Sequence, residues 1–310
     1  MRSRIRRFAR ATLHIAAIAV IAVIATMTVQ AHLEQQERAA FPPPGQMVDI
    51  GGGERIHVRT WGEREAGTPA LILDASAAMP SSEWAWIGQM LGQGHFLVAY
   101  DRPGMAWSDG PKKPRDAASA ARALTAALAV AHIEPPYVVI AHSYGGFSSR
   151  AFVGLNRDDV AGLVLLDTTN PNGGGGAGFA AFYRARAWQG HAALFRLFPP
   201  QNSFSSLPLF EQAPAQVVSH WRSHLDTTAE ELEAWPASVA DIRDLTFGDL
   251  PVLVVSARGS AAHLDLQRDM LGVSGSSDYV ELDVDHVGML LVEDQARLSS
   301  DAIEGWLGEL

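Results

Sequence analysis

The sequence predicts an α/β domain: a mostly parallel sheet with helices on both faces and a helical cap inserted into it. Short apolar runs at 70–73, 96–100, 137–141, 160–166 and 251–256 are too brief for helices, and they read as strands buried on both sides. Helix-compatible segments alternate with them, the pattern of a doubly covered sheet. The 310 residues are 47% hydrophobic, enough for one large core plus an insertion.

Residues 1–31 stand apart from that core. Arg2, Arg4, Arg6, Arg7 and Arg10 precede an apolar stretch at 11–29 with an uninterrupted centre at 15–25. Such a segment enters a membrane, as a signal peptide with a cleavage-like Val29-Gln30-Ala31 or as a retained anchor of just spanning length. In both cases the arginines stay cytoplasmic and the body is exported. Residues 32–45 read as a polar, then Pro-rich tether ending in Pro42-Pro43-Pro44, and the folded domain spans 46–310.

Within the domain, 47–50 and 55–61 form an antiparallel hairpin around Gly51-Gly52-Gly53. No Gly-Lys-Ser/Thr follows those glycines, so they do not cradle a phosphate. After strand 70–73, the loop 74–80 leads to a helix starting near Ser81 that carries Trp84 and Trp86. Strand 96–100 runs into a tight turn, 101–109, with a structural role. The alanine-rich segment 115–132 is a strong helix former that covers the sheet. Strand 160–166 follows the helix at 147–155 and ends at Asp167. The cap, 168–245, opens on Gly173–Gly176 and carries aromatics at helical spacing, of which a few line a pocket and most pack the cap onto the core. Strand 251–256, helix 262–271, strand 278–282 and an amphipathic helix at 291–310 complete the domain.

The chemistry-bearing stretch is Ala141-His142-Ser143-Tyr144-Gly145-Gly146. Small residues around a serine at a sharp strand-to-helix turn form a nucleophile elbow, in which strained dihedrals lift the hydroxyl clear of the backbone. Ala141 fills the first small position, where one extra methyl leaves the turn feasible. An acid and then a histidine should follow. His286 lies in the loop after the last strand and is the candidate base. Asp167 stands at a strand's carboxyl end, where open α/β sheets place their sites, and it is favoured as the acid. Asp265 competes, but falls late and inside a helix; Asp285 is too near His286 in sequence to approach its ring. His220 and His224 share a helix face, yet lack an adjacent glutamate or evident third ligand, so a packing pair is favoured over zinc. No cofactor is implied. With no cysteine, disulfides and thiol chemistry are excluded. Five of the 24 basic residues lie in the first ten, so the body is more acidic than the net charge of −10 and does not seek nucleic acid.

The motifs at 101–109, 136–146 and 160–167 together resemble the α/β-hydrolase superfamily over 47–310, and within it bacterial membrane-tethered serine hydrolases of esterase or lipase type. The resemblance implies the α/β-hydrolase fold, a Ser143–His286–Asp167 triad, and an oxyanion hole from the N–H groups of Ala77 and Tyr144. It also implies a small-molecule ester as substrate. Serine at the elbow argues against epoxide hydrolase and dehalogenase chemistry, which needs a carboxylate nucleophile. Acyl transfer, peptide cleavage or an inactive binding module are the alternatives. The chain departs from the pattern at Ala141, at Ala75-Ser76 where relatives carry His-Gly, and after Ser256, where the usual aspartate is missing.

Overall fold

The computed structural model describes residues 2–110, 114–174, 176–198 and 203–310. The side chains of Arg2, Arg4, Arg6 and Arg7 and the hinge residue Gly175 lie outside the described residues. Helix α1 (Arg2–Ala40) leads into the hairpin β1 (Gln46–Gly51) and β2 (Glu54–Trp61), then β3 (Ala70–Asp74), a 3-10 turn at Ser81–Trp84, α2 (Ala85–Leu91) and β4 (Leu97–Tyr100). Helix α3 (Ala117–Val130) precedes β5 (Tyr137–His142), α4 (Gly145–Leu155) and β6 (Val160–Leu166). The cap holds α5 (Gly176–His191), α6 (Leu194–Leu197), α7 (Leu209–Val218), α8 (Arg222–Glu233) and α9 (Trp235–Ile242), and no strand among its described residues. Then come β7 (Pro251–Ser256), α10 (Ala261–Asp269), β8 (Ser276–Glu281), α11 (Gly288–Leu291) and α12 (Glu293–Leu307).

The eight strands form one sheet in the order β1-β2-β4-β3-β5-β6-β7-β8. Only the hairpin and its junction with β4 are antiparallel; from β4 to β8 every pairing is parallel. Strand β5 is central and wholly buried. Its side chains alternate: Val139 and Ala141 face the layer containing α3, α4 and α9, while Val138 and Ile140 face Trp84, Ile87 and Trp306 on the other side. Each buried valine or isoleucine among them contributes about 1.5–3 kcal/mol by leaving water.

One segment differs from the tether reading. Residues 32–40 continue α1 as helix rather than hanging free. Glu34 and Arg38 pair one turn apart at 2.9 Å, and Arg222 Nε donates to the second Glu34 oxygen at 3.0 Å. Burial pushes the Glu34 carboxyl up, but these two guanidinium groups outweigh it and hold it below its usual range. The helix stops just before Pro42, whose ring disfavours helical backbone in the residue ahead of it.

Candidate active site

Strand β5 delivers Ser143 to the carboxyl edge of the sheet, where the chain turns sharply into α4. Ser143 has φ +52°, a strained value for a residue with a Cβ. The turn is crowded. A Cβ on Gly145 would fall 2.5 Å from the Asp74 carbonyl oxygen, and one on Gly146 would fall 2.7 Å from Thr168 Cβ. Both glycines are therefore required. Ala141 lies two residues before the serine, on the strand, where its methyl is buried in the α3–α4 layer.

The neighbouring strand carries the candidate acid. Asp167 follows β6 with φ +43°, and its N–H donates to the Val255 carbonyl. The two strand ends are laced together, since Ser143 N–H donates to Leu166 O at 3.2 Å and Thr169 N–H to Ser143 O at 2.9 Å. His286 arrives on the loop after β8. Its Nε2 is 3.1 Å from Ser143 Oγ and its Nδ1 is 2.5 Å from Asp167 Oδ2. The structure thus brings Ser143, His286 and Asp167 into one hydrogen-bonded line. Asp265 is elsewhere: its exposed carboxylate faces Arg268 on α10 at 3.5 Å. Asp285 accepts the backbone N–H groups of Val287 and Gly288, capping the turn after His286.

Electrostatics favours one distribution of charge. Burial raises the cost of ionising Asp167, but His286, His263 and the Ala257 N–H outweigh it and hold the carboxyl below its ordinary value. Burial likewise opposes a charged His286, yet Asp167 wins and raises that imidazole above 6.5. The carboxylate fixes the tautomer with the proton on Nδ1, leaving Nε2 as an acceptor for the serine hydroxyl.

Three members of the site were not singled out from sequence. His263 Nε2 reaches the second Asp167 oxygen at 2.8 Å, beside the Ala257 N–H at 3.0 Å. Its ring has room because residue 259 is glycine; a Cβ there would meet His263 Cδ2 at 2.2 Å. His142, next to the serine, contacts Glu83 Oε1 through Nδ1 and the His286 carbonyl oxygen through Nε2, each at 2.9 Å. Glu83 in turn accepts Ser76 N–H and Oγ–H, both at 2.7 Å. A glutamate in the first turn of a helix beside two tryptophans was the available signal, because a carboxylate in such apolar company needs partners.

The Ser76 contacts matter for the loop between β3 and the turn at Ser81. Arg102 binds the carbonyls of Ala75 and Ser76, and His224 Nε2–H donates to the Ala78 carbonyl at 2.9 Å. With those carbonyls held, the Ala77 N–H has no protein acceptor among the described residues. The same is true of the Tyr144 N–H at the start of α4. His224 also accepts the Ala106 N–H through Nδ1, so both its nitrogens are engaged and neither is free for a metal.

A cavity of about 400 Å³ opens beside Ser143, bounded by Asp167, His286, Phe179, Trp235, Arg258 and His263. Of the cap aromatics, Phe179 and Trp235 reach it. Trp235 also packs edge-on to Phe147 at 5.0 Å and against Tyr144 at 5.9 Å. Trp221 is fully buried in packing, whereas Trp188, Phe198 and Phe210 point outward.

A model of the alpha/beta hydrolase family matches residues 71–300. The enol-lactonase from Burkholderia xenovorans LB400 is similar in fold, with a TM-score of 0.62 at 20% identity over 84% of this chain and 99% of that one. A thermophilic esterase from Thermogutta terrifontis gives 0.64 at 18% identity, over 85% and 97%. Among curated relatives, a probable transporter, efuK, of Hormonema carpetanum is 24% identical over 279 residues. That match spans 83% of this chain but only 38% of the relative's length.

Proposed function

Since the chain belongs to the alpha/beta hydrolase family, we propose that it is a serine hydrolase cleaving a small to medium carboxylic ester with an apolar acyl group. The observation that carries this reading is the line from Ser143 Oγ through His286 to Asp167, with contacts of 3.1 and 2.5 Å. A hydroxyl in that line attacks an acyl carbonyl while His286 Nε2 takes its proton. The carbonyl oxygen becomes an oxyanion, for which the unengaged N–H groups of Ala77 and Tyr144 are the donors. His286 returns the proton to the leaving alcohol. Water, deprotonated by the same imidazole, then releases the acid from the acyl-enzyme. Asp167 stays ionised throughout and stabilises the imidazolium.

The body works outside the cytoplasm in this reading. Residues 12–29 of α1 are apolar, long enough to cross a membrane, and not buried by the rest of the protein. The arginines ahead of them remain inside. The test of the chemistry is a series of p-nitrophenyl esters of graded acyl length, run with Ser143→Ala alongside, and labelling by a fluorophosphonate. Turnover and labelling that vanish together in the variant support the assignment; equal labelling of both proteins removes Ser143 from the mechanism.

A further inference from the structure

The carboxyl-terminal third of α1 is bolted to the cap. Gln30 is 4% exposed and accepts Arg196 Nε at 3.0 Å. Arg196 also pairs with Glu37, Glu34 with Arg222, and the Arg38 guanidinium lies 4.0 Å above the Trp221 ring. The cleavage-like Val29-Gln30-Ala31 is therefore interior to a helix and partly covered, where a protease needs an extended, accessible strand. The preceding turns are bare: Leu13, Ile15, Ile18 and Ile21 are each at least 66% exposed, with no protein surface against them.

Height along this helix locates the cap. Residues 12–29 at about 1.5 Å each span roughly 27 Å, close to the hydrocarbon thickness of a bilayer. Gln30 is the first polar residue beyond that stretch and marks its outer boundary. Arg196 touches Gln30, and the next two residues along the chain are Leu197 and Phe198, 71% and 74% exposed. Arg196 also reaches Glu37 about two turns further out, so this exposed leucine and phenylalanine lie close to the boundary, within reach of the layer into which aromatic and aliphatic side chains partition.

We propose that α1 is retained as an anchor and that Leu197 and Phe198 rest in the outer interfacial layer of the same bilayer, so that the cap lies on a phospholipid surface. The inference rests on the outward-facing reading of the N-terminal segment, not on the ester chemistry. The cap edge then faces lipid, and an apolar ester dissolved in the bilayer is the substrate nearest to hand.

The chain has no cysteine, so a single introduced thiol reports on one place. Phe198→Cys and Glu65→Cys would each be made in the full chain, labelled with nitrobenzoxadiazole, and reconstituted in phosphatidylcholine vesicles containing lipid spin-labelled high on the acyl chain. Glu65 precedes β3, at the end of the sheet opposite the cap. Quenching at position 198 should exceed that at 65 by roughly threefold or more, and Leu197→Asp should reduce it. Equal quenching in a vesicle-bound, intact chain overturns the lipid contact and leaves the anchor standing. A mature N-terminus beginning after Ala31, read by mass spectrometry of the cell fraction, overturns both.

Discussion

Two clusters of charge flank the elbow, one buried throughout and one that reaches solvent at His286 and His263, and they end differently. In the first, Arg102 joins Asp74 at 2.9 Å to Glu231 of the cap at 3.0 Å, while the other Asp74 oxygen accepts Tyr100 and Ser148 hydroxyls. Every member is buried and every oxygen of Asp74 is occupied, so the cluster closes on itself. In the second, His263, Asp167 and His286 form a line that finishes on the Ser143 hydroxyl at the wall of a cavity. Their carboxylates respond oppositely. Burial drives the Asp74 carboxyl up despite Arg102, whereas at Asp167 the histidines and a backbone N–H overcome burial and hold it down. A closed cluster ties core to cap; an open one presents a polarised atom to whatever enters.

If that contrast is right, the open line governs rate and the closed one governs folding. The largest expected effect is on turnover. Ser143→Ala should lower kcat for a p-nitrophenyl ester by roughly 10⁶ with an unchanged melting temperature. Asp167→Asn should cost about 10⁴ in kcat and leave the protein folded, because the wrong tautomer of His286 then faces the serine. Asp265→Asn, on an exposed helix face, should be near normal, and the reverse result would reassign the acid.

Arg102→Met tests the other side. Removing the cation leaves Asp74 and Glu231 buried without it, at about 3–5 kcal/mol of stability in urea unfolding. Activity per folded molecule should change far less than in Asp167→Asn. A folded, stable but inactive Arg102→Met would abolish the distinction between the clusters.

His263→Ala removes one charge-assisted hydrogen bond of about 1.5 kcal/mol, or roughly tenfold in kcat, with KM little altered. Glutamine, which keeps a donor, should recover part of it. The smallest effect is on the pH profile. His286 acts as a base only when neutral, and its imidazole is raised above 6.5, so kcat/KM should fall as pH drops through a point above 6.5. Removing the His263 donor leaves the Asp167 carboxylate a stronger partner for His286, so His263→Ala should move that limb modestly upward; an acid limb well below 6.5 in the native chain would contradict the charge distribution.

Most strands were legible because burial on both faces forces continuous apolar runs, and the elbow because its glycines answer to a steric limit at Asp74 and Thr168. The position of Asp167 at a strand end was legible in sequence. His263 and Glu83 were not, since each acts through a partner far along the chain and neither has a local pattern. The helix at 32–40 was missed for a related reason. Its polar residues read as solvated tether until Arg196, Arg222 and Trp221 are known to lie against them.

The order of synthesis meets the site unevenly. Ser143 and Asp167 end adjacent parallel strands and are joined by backbone bonds of their own, so their spacing exists as soon as β5 and β6 pair. The imidazole arrives 119 residues after the carboxylate, on the loop beyond the edge strand. What waits for it is His142, whose Nε2 takes hold of the His286 backbone rather than its ring. If Ser143, Asp167 and His286 act as proposed, a nascent chain carries the serine and the carboxylate in register but lacks the imidazole until its last strand has docked.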